Sequence, residues 1–94
     1  MVLDREFRFK THPIVYWKER DDVKNNIVRR IDLSDDRFIQ LIAWYELGWN
    51  DGEIQIIIQC GENETEYCIK EIRDITIWRD LMIITWNEEK KHKG

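Results

Sequence analysis

The sequence predicts one α+β domain, a mostly antiparallel β-sheet with a single helix near residues 35–47. Three observations lead there. β-branched and aromatic residues dominate the chain, with fifteen isoleucines among 94 residues and only one alanine. One stretch alone switches to apolar spacings of three and four. The length suits one hydrophobic core and no more.

Residues 6–10, Glu-Phe-Arg-Phe-Lys, alternate strictly, so Phe7 and Phe9 share a face opposite the charges. After Thr11-His12-Pro13, the run Ile14-Val15-Tyr16-Trp17 has strand propensity and reads as a second strand. Asp21 to Asn26 is turn chemistry. Ile27 to Leu33 reads as a third strand, with Ile27, Ile31 and Leu33 on one face and Arg29 interrupting it. Ser34 is a suitable helix N-cap, and Asp35 and Asp36 suit the positive end of the helix dipole. Phe38, Leu41, Ile42 and Tyr45 then make one helical face, with Gly48 at the stop. Were this segment a strand running into a hairpin at Asn50-Asp51-Gly52, the product would be a small all-β barrel. Glu53 to Cys60 is an Ile-rich strand, Gly61 to Glu64 a turn, and Thr65 to Ile72 the return. Ile75 to Trp78 and Leu81 to Trp86 are two further strands. They meet at Arg79-Asp80, although neither residue favours positive φ. The expected core is Phe7, Phe9, Val15, Phe38, Leu41, Ile42, Ile56, Ile58, Ile69, Ile75, Ile77 and Ile84. Residues 88–94 hold no apolar side chain and are expected to be a disordered tail beside a 1–87 domain.

Composition excludes several classes. With one Pro, one Ser and 12% aromatics, the chain is not intrinsically disordered. No apolar run is long enough for a membrane-spanning helix, and residues 1–10 lack a signal-peptide core. The expected compartment is the cytoplasm, with no membrane partner. Two cysteines are too few for a disulfide scaffold. A two-residue turn at 62–63 would set Cys60 opposite Thr65 and place Cys68 on the other sheet face. The abundance of Ile, Lys and Asn against Ala and Gly points to AT-rich codons. A small AT-rich gene without catalytic motifs resembles, in composition alone, the accessory proteins of viruses and mobile elements.

No constellation carries catalytic chemistry. Ser34 explains itself as a cap, and the spacing Cys-x₇-Cys with distant His12 and His92 is not a zinc pattern. No cofactor and no metal site are expected. A metal-assisted hydrolase at Asp51, Glu53, Glu66 and Lys70 would need adjacent strands to draw those groups together.

Charge is uneven. Residues 1–33 carry a net +2 and residues 51–71 a net −5, within a total of −4. Five tryptophans exceed what a small core needs. Trp17 and Trp86 are expected in the core. Trp44 falls off the helical face, Trp49 follows the helix, and Trp78 lies opposite Ile75 and Ile77. The leading expectation is therefore a non-catalytic protein-binding module, a small inhibitor or adaptor. Trp44, Trp49 and Trp78 would be its anchors, and the acidic hairpin residues Glu62, Glu64 and Glu66 its rim. The partner would be another protein or a second copy in a homodimer. The alternative is single-stranded nucleic-acid binding, through Tyr16, Trp17, Lys18, Arg20, Arg29 and Arg30.

Overall fold

Strict alternation makes the first strand, and a proline cuts it off. In the computed structural model, which describes residues 2–87, the order is β1 (Glu6–Thr11), α1 (Pro13–Arg20), β2 (Asn26–Arg30), α2 (Asp36–Leu47), β3 (Gln55–Cys60), β4 (Asn63–Trp78) and β5 (Leu81–Trp86). The strands form one mixed sheet, β1-β3-β4-β5-β2. β1 runs parallel to β3, and the other three pairings are antiparallel. The class is α+β, and the sheet does not close into a barrel.

One sheet face takes most of the burial. Phe7, Phe9, Ile56, Ile58, Ile72, Ile75, Ile84, Met82 and Ile27 all point to it. Tyr16 of α1 and Phe38, Leu41 and Trp44 of α2 complete the same cluster, so both helices lie on that inner face. The Phe9 and Phe38 rings meet edge to face at 5.8 Å. β4 serves both halves of the sheet. Its first half pairs with β3 and its second half with β5. A bulge between Ile72 and Asp74 inserts one residue, which keeps Ile72 and Ile75 on the same face. The segments expected as separate strands at 65–72 and 75–78 are thus one bent strand.

The helix α1 is a correction. Propensity favoured a strand at Ile14–Trp17, yet these residues are helical. Pro13 occupies the first helical turn, where its missing N–H costs nothing. His12 caps it, with Nδ1 accepting from the Ile14 N–H at 3.2 Å. Packing then overrides propensity. The sheet receives Tyr16, and Ile14 and Trp17 are left exposed.

The 35–47 helix stands as α2, with details shifted. Asp35 is the cap, its carboxylate accepting from the Arg37 N–H at 3.0 Å; Ser34 instead bonds back to Asp32. Gly48 closes the helix at φ 78, a conformation that suits glycine. Arg79 takes φ 57 in the β4–β5 turn, the positive φ its residue type disfavours. Ile69, expected in the core, lies on the outer face because β3 pairs Ile57 with it. Leu33 is exposed, beyond the end of β2. Cys60 and Cys68 are both free and pack against the inner-face core. The expected split between faces fails because the β3–β4 turn pairs Cys60 with Asn63 and slips the register there. Residues 88–94, expected as a tail, lie outside the described residues.

A buried polar node ties α1 to the sheet. Lys70 sits on the inner face at 6% exposure, flanked by apolar strands. Its ammonium donates to the Arg20 carbonyl at 2.8 Å and to Asp22 Oδ1 at 3.0 Å. The same Asp22 oxygen accepts from Trp86 Nε1 at 2.9 Å. Asp22 reaches this position through a left-handed backbone (φ 59), which Asp tolerates better than most residues. Nearby, Glu19 is fully buried, with Oε2 on Lys24 at 3.2 Å and Oε1 lacking a hydrogen-bond partner among the described residues.

Two outcomes follow. Lys70→Met removes the buried cation that joins Asp22 to the Arg20 carbonyl, so it should lower stability by about 3 kcal/mol or more in urea denaturation. A loss under about 1 kcal/mol would show the node to be incidental. Burial, and then the Cys68 contact, push the Tyr16 phenol up from 10.0 to about 12. A raised folded pKa contributes stability fully below the unfolded value and loses it above. Stability should therefore fall as pH rises from about 10 towards 12, and Tyr16→Phe should abolish that component.

Candidate functional site

With both helices on the inner face, no helix covers the outer sheet face, although Ile57 and Gln59 are buried there. Register fixes what it shows. Leu81 stands between Arg30 and Trp78, and Ile83 between Val28 and Thr76. Towards the other end, Ile57 faces Ile69 and Gln59 faces Tyr67. Val28, Tyr67, Ile69 and Trp78 are each about half exposed, at 44%, 46%, 50% and 56%. Two apolar patches result, separated along β4 by the exposed Glu71, Arg73 and Asp74. Each has an aromatic ring under a guanidinium: Arg8 lies 5.1 Å from the Tyr67 centroid and Arg79 4.6 Å from that of Trp78. Arg8 also donates to Gln59 Oε1 at 2.8 Å, which holds it over the sheet.

The three tryptophans named from sequence do not share a surface. Trp44 is buried, with Nε1 donating to the Asp4 carbonyl at 2.8 Å. It joins Phe38 and Leu41 in the stripe, while Tyr45, expected there, is exposed. Trp49 is half-buried against the core and donates to the Ile72 carbonyl at 2.9 Å. Only Trp78 is an open side chain. Trp17 is the reverse case, expected in the core and found exposed. Trp86 is fully buried as expected. Glu62, Glu64 and Glu66 are exposed at the β3–β4 end, with Glu62 on Lys10 at 2.8 Å. They and Trp78 occupy opposite ends of β4.

The basic-aromatic set also disperses. Tyr16 is core, Arg20 is chelated by Asp21 through Nε and Nη2, and Lys18 sits 5.8 Å from the Trp17 ring on α1. Arg29 and Arg30 lie on β2, beside a different opening. The acids proposed for metal chemistry are apart as well. Glu53 caps the Asn50 N–H, Glu66 adjoins Cys60 at the far end of the strand pair, and Lys70 belongs to the buried node. Among the described residues, no group of three or more His, Cys, Asp or Glu is placed to hold a metal. Burial raises both thiols, with Glu66 adding to the effect at Cys60 and Lys70 opposing it at Cys68. That favours the protonated, weakly nucleophilic form.

The opening beside Arg29 is a concavity of about 590 Å³. It lies between β1 and β2, the two free edges of the curled sheet, with Phe9 and Phe38 among its lining. The Arg5 and Thr11 carbonyls accept from Gln55 and Gly61 N–H groups, both at 2.8 Å. Alternation therefore turns the Arg8 and Lys10 carbonyls towards the gap. On β2, the Asn25 carbonyl and Ile31 N–H serve the β5 side, so the Val28 carbonyl faces the gap too. Arg29 spans it. Its Nη1 donates to the Val28 carbonyl at 3.0 Å and its Nη2 to the Lys10 carbonyl at 2.9 Å. From α2, Arg37 donates to the Arg8 carbonyl while lying 4.3 Å over the Phe9 ring. Its hydrogen bonds to Asp35 hold that carboxyl below the usual carboxylate range. Sequence reasoning missed Arg8, Arg37 and Tyr67. The visible signal was Arg29, a charge at an inward-facing position of an apolar strand.

Searches of family models, curated proteins and solved structures give no match to this chain. Among the described residues, no helix is long and apolar enough to cross a membrane.

The two classes of tryptophan should separate in denaturation experiments. Trp44→Ala should cost about 3 kcal/mol of stability, as for a buried aromatic truncation. Trp78→Ala should cost less than about 1 kcal/mol, as for a surface site. Equal losses would mean that Trp78 supports the fold.

Proposed function

We propose that the chain is a non-catalytic protein-binding module whose interface is the outer face of the sheet. One observation carries this reading. Both helices cover the same face, which leaves Trp78, Val28, Ile69 and Tyr67 half exposed on the other. Exposed apolar side chains clustered in patches and rimmed by polar residues commonly mark an interaction surface. Trp, Tyr and Arg are also the side chains that most often dominate binding energy. Here each anchor ring has an arginine over it, which orders both groups before a partner arrives. The charged strip at Glu71, Arg73 and Asp74 gives the face polar register between its two apolar patches. Trp44 and Trp49 leave the anchor set, and Tyr67 joins Trp78 in it. The acids Glu62, Glu64 and Glu66 flank the Tyr67 end as a rim. A second copy of the chain is one candidate partner. The role as a small inhibitor or adaptor rests on size, composition and this surface together.

The test is retention of a stoichiometric partner from a lysate of the source cells on the immobilised chain, beside sedimentation of the chain alone. Trp78→Ala or Tyr67→Ala should weaken the retained complex, or the dimer, by about 2 kcal/mol, a factor of about 30. A partner held equally well by both variants would overturn the outer-face reading.

A further inference from the structure

We infer that the gap between β1 and β2 is a slot for an extended acidic peptide, which enters it as an additional strand. The inference concerns a different surface from the outer face and stands without it.

The argument starts from unpaired backbone. Alternation turns both polar groups of Arg8 and of Lys10 towards the gap. Their carbonyls are held by arginine side chains, while their N–H groups have no protein acceptor among the described residues. The Val28 carbonyl on the facing edge is likewise held by Arg29 alone. Side chains thus supply donors where a neighbouring strand would supply donors and acceptors. An entering strand would satisfy both kinds of group on both edges, the usual source of affinity in strand addition.

The chemistry of the occupant follows from what it displaces. A strand on β1 takes over the Arg8 and Lys10 carbonyls and releases the Arg29 and Arg37 guanidiniums. Arg37 retains Asp35. Arg29 has only carbonyl partners and no carboxylate among the described residues. A released, partly buried guanidinium needs a new anion, so the peptide must bring a carboxylate on its inward side. The outward flank adds to this, since Arg8 has neutral partners, Gln59 and Tyr67. Of the two acids in the slot, Asp35 is paired with Arg37 and Asp32 is hydrogen-bonded by Ser34, against five cationic side chains in the lining, Arg8, Lys10, Arg29, Arg30 and Arg37. Positive charge is therefore what the slot offers an incoming chain.

The probe is a short synthetic peptide alternating valine and glutamate, added to the full chain. Binding is read by fluorescence anisotropy and by backbone amide exchange. The Arg8 and Lys10 amides should become protected. The peptide should bind at least ten-fold more tightly than its valine–lysine counterpart. In Arg29→Met, affinity for the glutamate peptide should fall ten-fold or more. A valine–serine peptide should bind that variant at least as well as it binds the wild type, because the Arg29 clamp no longer has to be displaced. Trp78→Ala should leave peptide binding unchanged, which separates this site from the outer face. Binding without protection at Arg8 and Lys10, or equal binding of the lysine peptide, would overturn the proposal. So would concentration-dependent protection of those amides without peptide, which would make a second copy the occupant. Stronger protection by an oligothymidylate would overturn it in favour of nucleic acid.

Discussion

A single extra residue in β4 keeps the two halves of this sheet in phase. The strand pairs with β3 on one side and, further along, with β5 on the other. Side chains along a strand alternate with period two, so the second half must resume burial in step with the first. The bulge between Ile72 and Asp74 does this, placing Ile72 and Ile75 on one face. Without it, Ile75, Ile77 and their partners Ile84 and Met82 would be set against the core of the first half. The bend it adds also curls the sheet, and the curl brings the outermost strands, β1 and β2, within reach of one another. The one-sided core, the open outer face and the gap all depend on that offset.

Polar groups finish what apolar packing begins. The helices sit on the inner face through Tyr16, Phe38, Leu41 and Trp44, but their ends are fixed by charge. Lys70 caps the Arg20 carbonyl at the end of α1 from inside the sheet, and Arg37 joins the first turn of α2 to β1. Both are long cationic side chains crossing apolar ground to reach backbone oxygen, with stems that pack and heads that bond. Arg29 does the same between two strands. In each case the cation meets carbonyl groups that no neighbouring backbone serves, and an unserved buried carbonyl is costly.

Much of this fold was legible in the residues, and the gaps have physical causes. Alternation at Phe7 and Phe9, the helix at 36–47 and the Ile-rich hairpin were readable because period and punctuation agreed. The α1 segment was not. Ile14 to Trp17 carries strand propensity, and only its contacts with the sheet make it a helix. Trp44 was misplaced because the choice between adjacent helical faces hinged on a distant carbonyl, that of Asp4. Ile69 was misplaced because β3 is apolar on both faces, so composition could not say which partner face is inner. Of the candidate site, Trp78 could be read from its strand phase. Tyr67 with Arg8, and Arg29 with Lys10, depend on strand order, which no local pattern encodes.

The facing edges have a further consequence, for growth rather than stability. An exposed strand edge on an ordinary sheet is a template that can add copies without limit, the first step towards fibrils. Here each edge looks at the other across a space that Arg29 bridges, so the two edges face one another. Whatever strand filled that space would meet a partner on both sides and leave no edge behind it. The architecture thus limits addition along this seam to a single strand, and an assembly built through it would be finite.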